Sequence, residues 1–180
     1  MRSLSLPLLC LLALSGCMRS SVPHPTLAPL LASIEQRLDL AEAVALHKWD
    51  NRQPVQAPQR EQQVLASVRQ AAAEYGLSAQ RAEAFFSDQI EANKLAQYHL
   101  LSQWHRARQA PDRPRRDLAS EVRPQLDQLQ AQLLRQLADL DRQALPQCQE
   151  HLADSLIHHA PDTPRRLAMI RATAQLCQQP

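Results

Sequence analysis

"LDLAEAVALHKWDNRQP" runs from Leu38 to Pro54, and the repeat of its apolar residues decides the fold. With the residues just before it, Leu30, Ile34, Leu38, Ala41, Ala45 and Lys48 recur at steps of three and four, the period of one helix face. Five of these are apolar and the last is a lysine. Beside that stripe, Arg37, Ala41, Val44 and Lys48 form a second line on the same face. Pro54 and Pro58 block continuation. The segment reads as a helix that carries two cations where its core side should be.

The rest of the chain repeats the period. Val64, Leu65, Val68 and Ala72 mark a second helix from about Arg60 to Tyr75, with Gly76 where a C-terminal cap belongs. Ser78 is placed to cap a third helix from about Ala79 to Arg106, carrying Phe85, Phe86, Ile90, Leu95, Leu101 and Trp104. Pro124 suits the first turn of a fourth, whose stripe is Leu126, Leu129, Leu133, Leu137 and Leu140. Two short helices are expected at about Cys148 to His159 and Pro164 to Cys177. The chain of 180 residues is 44% hydrophobic, enough for a core, but 3% aromatic, so Leu, Ala, Val and Ile must build it. Two glycines and no sustained Val/Ile/Thr alternation argue against a sheet. The expected fold is all-α, a single-domain bundle of about six helices.

The first residues, "MRSLSLPLLCLLALSGC", join Arg2 to an apolar run from Leu4 to Leu14, too short to span a bilayer and suited to a signal peptide. "LSGC" resembles a bacterial lipobox, which would make Cys17 the lipidated mature N-terminus. Ordinary cleavage, giving a soluble periplasmic protein, is the alternative. The expected organisation is a signal peptide over 1–17, a proline-punctuated linker over 18–29 and a helical domain over 30–180. Export leaves Cys148 and Cys177 as an even pair in an oxidising compartment. A disulfide is expected, with two buried free thiols as the alternative. Closing a loop of roughly 30 residues stabilises by about 3–4 kcal/mol in the chain-entropy model.

The net charge of +2 and the lack of a basic run with interleaved aromatics do not point to nucleic acid. No cysteine–histidine spacing suits a metal; His158 and His159 are adjacent and point to different helix faces. A small anion needs only local positive charge. Arg37 and Lys48 are 11 residues apart, about three turns and roughly 16 Å along the axis. Snorkelling explains such a residue singly. Further features accumulate: Arg60 and Glu61 opening helix two, Asn93 and Gln97 four apart on an inward face, and Arg123 at a helix start. Three arginines, a lysine, two amides and a glutamate on an apolar scaffold describe a site for a small polyanion, able to stabilise charge without covalent chemistry.

"QRLDLAEAVALHKW", "REQQVL", "FFSDQIEANKLAQY" and "DLASEVRP" together resemble the all-helical, type II chorismate mutases, most closely their exported single-chain subclass. The cysteine pair fits that subclass too. The resemblance implies an isomerase that rearranges the dianion chorismate to prephenate with no cofactor and no metal. It implies catalytic roles for Lys48, Gln97 and Arg60. Arg37 and Arg123 would hold carboxylates, Glu61 would accept from the ring hydroxyl, and Asn93 would touch a carboxylate. It implies a complete site in each chain, whether monomer or homodimer.

Two positions depart from the pattern. Ala57 stands where many relatives carry an acid, so only backbone contact survives there. Gln97 stands where some relatives have glutamate, and an amide donates without titrating. The competing readings are a non-catalytic periplasmic ligand-binding or adaptor module, which leaves the inward cations unexplained, and a degenerate mutase that binds without turnover.

Overall fold

The computed structural model describes residues 24–159 and 162–178. The expected signal peptide with Cys10 and Cys17, and most of the expected linker, lie outside the described residues. Helices make up the regular structure there: α1 Leu27–Asp50, α2 Pro58–Ala71, α3 Ala79–Ala107, α4 Arg123–Gln143, α5 Cys148–His159 and α6 Thr163–Ala172. None of these is long and apolar enough to cross a membrane.

Local chemistry sets the boundaries. After α2 the chain tightens into a 3-10 turn, Ala72–Tyr75, and leaves it through Gly76 at φ +76°, where a residue without Cβ is unstrained. Ser78 caps α3 by accepting from the Arg81 N–H at 3.1 Å. Asp117 does the same for a widened turn, Leu118–Val122, accepting from Ala119 and Ser120. That turn leads straight into α4, so α4 is approached earlier than Pro124 alone indicates. Asp162 caps α6. α1 begins at Leu27, inside the expected linker and three residues before Leu30. Pro29 is tolerated because a first-turn residue needs no N–H donor.

α3 is the axis of the molecule and packs against α1, α2 and α6, while α4 packs on α1. The shared core joins Leu30 and Ile34 of α1, Phe85 and Phe86 of α3, Leu133 and Leu137 of α4, and Met169 of α6, all at or near zero exposure. Each such side chain contributes about 1.5–3 kcal/mol through burial. A smaller cluster at the far end of α1 sets Trp49 edge-on to Trp104, with ring centres 6.0 Å apart.

The C-terminal segment is tied down twice. Cys148 and Cys177 form a disulfide with S–S 2.04 Å. Polar groups of α3 hold the same segment: Arg81 forks onto Asp141 at 2.8 and 3.0 Å and donates to the carbonyls of Gln175 and Leu176 at 2.8 and 2.7 Å. Asp88, 1% exposed, pairs with Arg171 and accepts from the Gln175 N–H at 3.0 Å. Gln89 donates to the carbonyl of Ala172 at 2.7 Å.

Candidate active site

Between α1, α2, α3 and α4 lies a recess of about 120 Å³, open to water on one side. Its floor and walls include Val44, Val55, Val64, Phe86, Ile90 and Leu126. Polar groups enter from four directions. α1 supplies Arg37 and Lys48, α2 supplies Arg60 and Glu61, α3 supplies Asn93, Lys94 and Gln97, and α4 supplies Asp127 and Gln130. Six of the seven site residues expected from the sequence therefore line one cavity.

Arg123 does not. It opens α4 with its side chain exposed. It shares a stripe with Asp127 and Gln130 but sits one turn further out, about 6 Å along the axis from Asp127. Val122, fully buried beside it, takes the inward position at that level.

The cations differ in how their N–H groups are used. Arg37 is 8% exposed, and its buried Nε meets no hydrogen-bond partner among the described residues. Burial, reinforced by the nearby Arg60 charge and opposed by Asp127, lowers its pKa to about 10. It stays a cation at neutral pH, in an apolar wall that penalises the charge. Lys48 is equally buried and donates once, to the carbonyl of Val55 in the loop between α1 and α2. Burial lowers its pKa, Glu61 opposes that, and the charge of Lys94 adds to it. With three N–H donors on an ammonium, two of those on Lys48 remain for the recess. Arg60 sits at the rim, 39% exposed, on Asp127 at 3.3 Å, a pairing worth less than about 1 kcal/mol in water.

The amides form a short relay. Asn93 donates to the backbone carbonyl of Arg37 at 3.3 Å, and its Oδ1 accepts from Gln97 Nε2 at 2.6 Å. This fixes Gln97 and joins α3 to α1. The Oε1 of Gln97 is buried without a partner among the described residues, and a buried polar atom left so costs about 1–3 kcal/mol. Glu61 has both oxygens engaged: Oε1 accepts from the Ala57 N–H at 2.9 Å and Oε2 from Lys94 at 3.2 Å. Ala57 thus contributes its backbone, the one contact its side chain leaves open. The main residues that sequence reasoning missed are Lys94, which looks like an exposed helix partner of Glu91, and Asp127, which looks like a solvated acid of α4.

Among the described residues no three His, Cys, Asp or Glu side chains converge to hold a metal. What the recess offers is a fixed set of N–H donors and positive charge in a low-dielectric wall, suited to holding a small polyanion and to meeting charge that develops within it.

A family model described as "Chorismate mutase type II" matches residues 28–98, which span α1, α2 and most of α3. A monofunctional chorismate mutase of Enterobacter agglomerans is 34% identical over 122 residues, 67% of this chain and 65% of that relative. The alignment thus falls just short of two thirds of that relative's length. A secreted chorismate mutase of Mycolicibacterium smegmatis is 30% identical over 132 residues, 70% of this chain and 72% of that protein. The crystal structure of chorismate mutase from Burkholderia phymatum superposes with a TM-score of 0.81 at 41% identity, covering 86% of this chain and 97% of that one.

Proposed function

The chain belongs to the type II chorismate mutase family, and from that premise we propose that the recess between α1 and α3 is where it rearranges chorismate to prephenate. The protein is an isomerase. In the reaction the bridging ether C–O bond breaks as a new C–C bond forms, and negative charge builds on the ether oxygen. No proton, electron or group enters or leaves.

The observation that carries the site assignment is the unfinished bonding of Arg37, Lys48 and Gln97. They are buried polar groups facing one cavity, with N–H donors left over on Arg37 Nε, on the ammonium of Lys48 and on Nε2 of Gln97, which spends one of its two on Asn93. Lys48 and the remaining N–H of Gln97 meet the ether oxygen. They are held in place before the charge appears, so no reorganisation is needed at the barrier. Arg37 takes a carboxylate, where a planar fork gives two parallel charge-assisted bonds. Arg60 supplies rim charge, and a substrate carboxylate draws it from Asp127. Arg123, one turn above, closes on the second carboxylate when substrate is present. Glu61 accepts from the ring hydroxyl, and Asn93 acts chiefly by orienting Gln97. The apolar walls confine a flexible substrate to its compact reactive shape. No cofactor takes part.

The wider setting follows the same reading. Relatives include a secreted chorismate mutase, and the leader over 1–17 directs export, with Cys17 as a lipid anchor. Residues 30–180 form the catalytic domain behind the linker over 18–29, and each chain holds a complete site, as monomer or homodimer. The adaptor reading gives way because it leaves the inward cations without a purpose.

The test is the loss of chorismate ultraviolet absorbance on adding purified mature protein, no cofactor present, with Lys48→Ala alongside. Turnover by the parent and its loss in a folded variant supports the assignment. A folded parent that binds chorismate without turning it over is the degenerate mutase, and equal activity in both moves the chemistry elsewhere.

A further inference from the structure

Lys94 is the one cation of the recess whose donors are all used. Its ammonium reaches Gln56 Oε1 at 3.0 Å, Glu61 Oε2 at 3.2 Å and Glu91 Oε1 at 2.6 Å. An ammonium has three N–H donors and no acceptor. Three acceptors leave nothing for a substrate, although the side chain lines the cavity and is 8% exposed. Burial by itself works against the charge, but Glu91 and Glu61 outweigh it and raise the pKa, so Lys94 is a fixed cation at every working pH.

The three acceptors come from different elements. Glu91 belongs to α3 itself. Glu61 opens α2 and also holds the N–H of Ala57, the residue that caps that helix. Gln56 belongs to the loop over 51–57. Its neighbour Val55 is buried and gives its carbonyl to Lys48. A continuous path therefore runs from Lys94 through Gln56 and Glu61 to the loop, and through Val55 to Lys48.

We infer that Lys94 is a positioning residue that clamps the α1–α2 loop and the first turn of α2 onto α3, setting the aim of Lys48 and Glu61 without touching substrate. The inference rests on the assignment of this recess as the mutase site. It predicts that a neutral side chain at 94 leaves the helices folded but lets the loop move. Displacement of about 1 Å at the reacting atoms lowers turnover by about 10- to 100-fold.

The experiment compares steady-state rates of the parent, Lys94→Met, Lys94→Arg, Glu61→Gln and the Lys94→Met/Glu61→Gln double variant, with Lys48→Ala as the reference for the site. The expected result is a loss in kcat larger than the change in KM for Lys94→Met, at nearly unchanged Tm. Lys94→Arg should recover much of the loss. Because Lys94 acts in part through Glu61, the double variant should be less impaired than the product of the single losses. A Lys94→Met enzyme with the parent's kcat and KM overturns the inference. So does a KM-dominated loss that multiplies fully with Glu61→Gln, since that is direct substrate binding. So does a fall in Tm with unchanged rates per folded molecule, which makes Lys94 merely structural. If Lys48→Ala matches the parent, the site assignment itself fails, whatever Lys94 does.

Discussion

α3 buries polar side chains along much of its length, and its two halves complete them differently. Toward the N-terminus, Arg81, Asp88 and Gln89 all find protein partners: Arg81 makes four bonds, Asp88 holds Arg171 and Gln175, and Gln89 reaches Ala172. One turn further on, Asn93 and Gln97 face Arg37 and Lys48 across a cavity, with Gln97 Oε1 and Arg37 Nε left without partners among the described residues. Residue type does not separate the two regions, since both mix arginine with amides. Satisfaction does, with Lys94 the exception in the second half. Polar groups that the chain partners among themselves hold a segment in place; under the proposed function, those left short around the recess wait for substrate.

The comparison can be broken by substitution. The largest effect is expected at Lys48→Ala, which should lower kcat by about 100- to 1,000-fold, the usual loss for one donor aimed at developing charge. Its Tm should stay near the parent's, measured by thermal melting monitored by circular dichroism. The mirror case is Arg81→Met. Asp141 and two carbonyls lose their donor, and the fold should weaken by about 2–4 kcal/mol in urea titrations, while kcat per folded molecule is kept. If Arg81→Met instead abolished turnover without altering stability, the division between the two halves of α3 would be wrong.

Arg37→Met sharpens the contrast because stability and activity should move in opposite directions. The folded-state pKa of Arg37 lies below its ordinary value, so the charge costs stability at every pH below about 10, and the cost disappears only as the proton leaves. Removing the charge should therefore stabilise the fold by about 1–3 kcal/mol at neutral pH, while chorismate affinity falls. A destabilised Arg37→Met protein would show a structural partner for the guanidinium. The smallest effect is an absence of change. Gln97 does not titrate, so kcat should be flat from about pH 5.5 to 8.5. It should fall only as the pH climbs toward 10, where Arg37 sheds its proton. A steep drop between mildly acidic and neutral pH would mean that another group supplies the proton-bearing contact.

Much of this was legible in the sequence because it is periodic and local. Leu30 to Lys48 carry the helix repeat, Gly76 and Ser78 announce a stop and a start, and Arg37 and Lys48 betray the site by standing where leucine would be expected. What escaped depends on contacts distant along the chain. Lys94 sits three residues after Glu91 and looks like an exposed surface pair; it is buried because the loop carrying Gln56, 38 positions away, folds across it. Arg123 shows the reverse. Its helix face is the right one, but where the recess ends along α4 is set by packing against α1 and α2, which α4's own sequence does not encode. The start of α1 was hidden by the prolines of "SSVPHPTLAP", which read as linker although Pro29 is harmless in a first turn.

The edge-on pair at the end of α1 gives the molecule an optical handle. Trp49 and Trp104 are the only two tryptophans in the chain. Trp49 directly follows Lys48, and His105 lies against it with ring centres 4.7 Å apart. All indole emission therefore originates beside Lys48, and none from the C-terminal segment stapled by the disulfide. Fluorescence excited at the red edge follows this end of the bundle alone, so local loosening there can be told from release of the C-terminal helices, which only the far-ultraviolet signal registers.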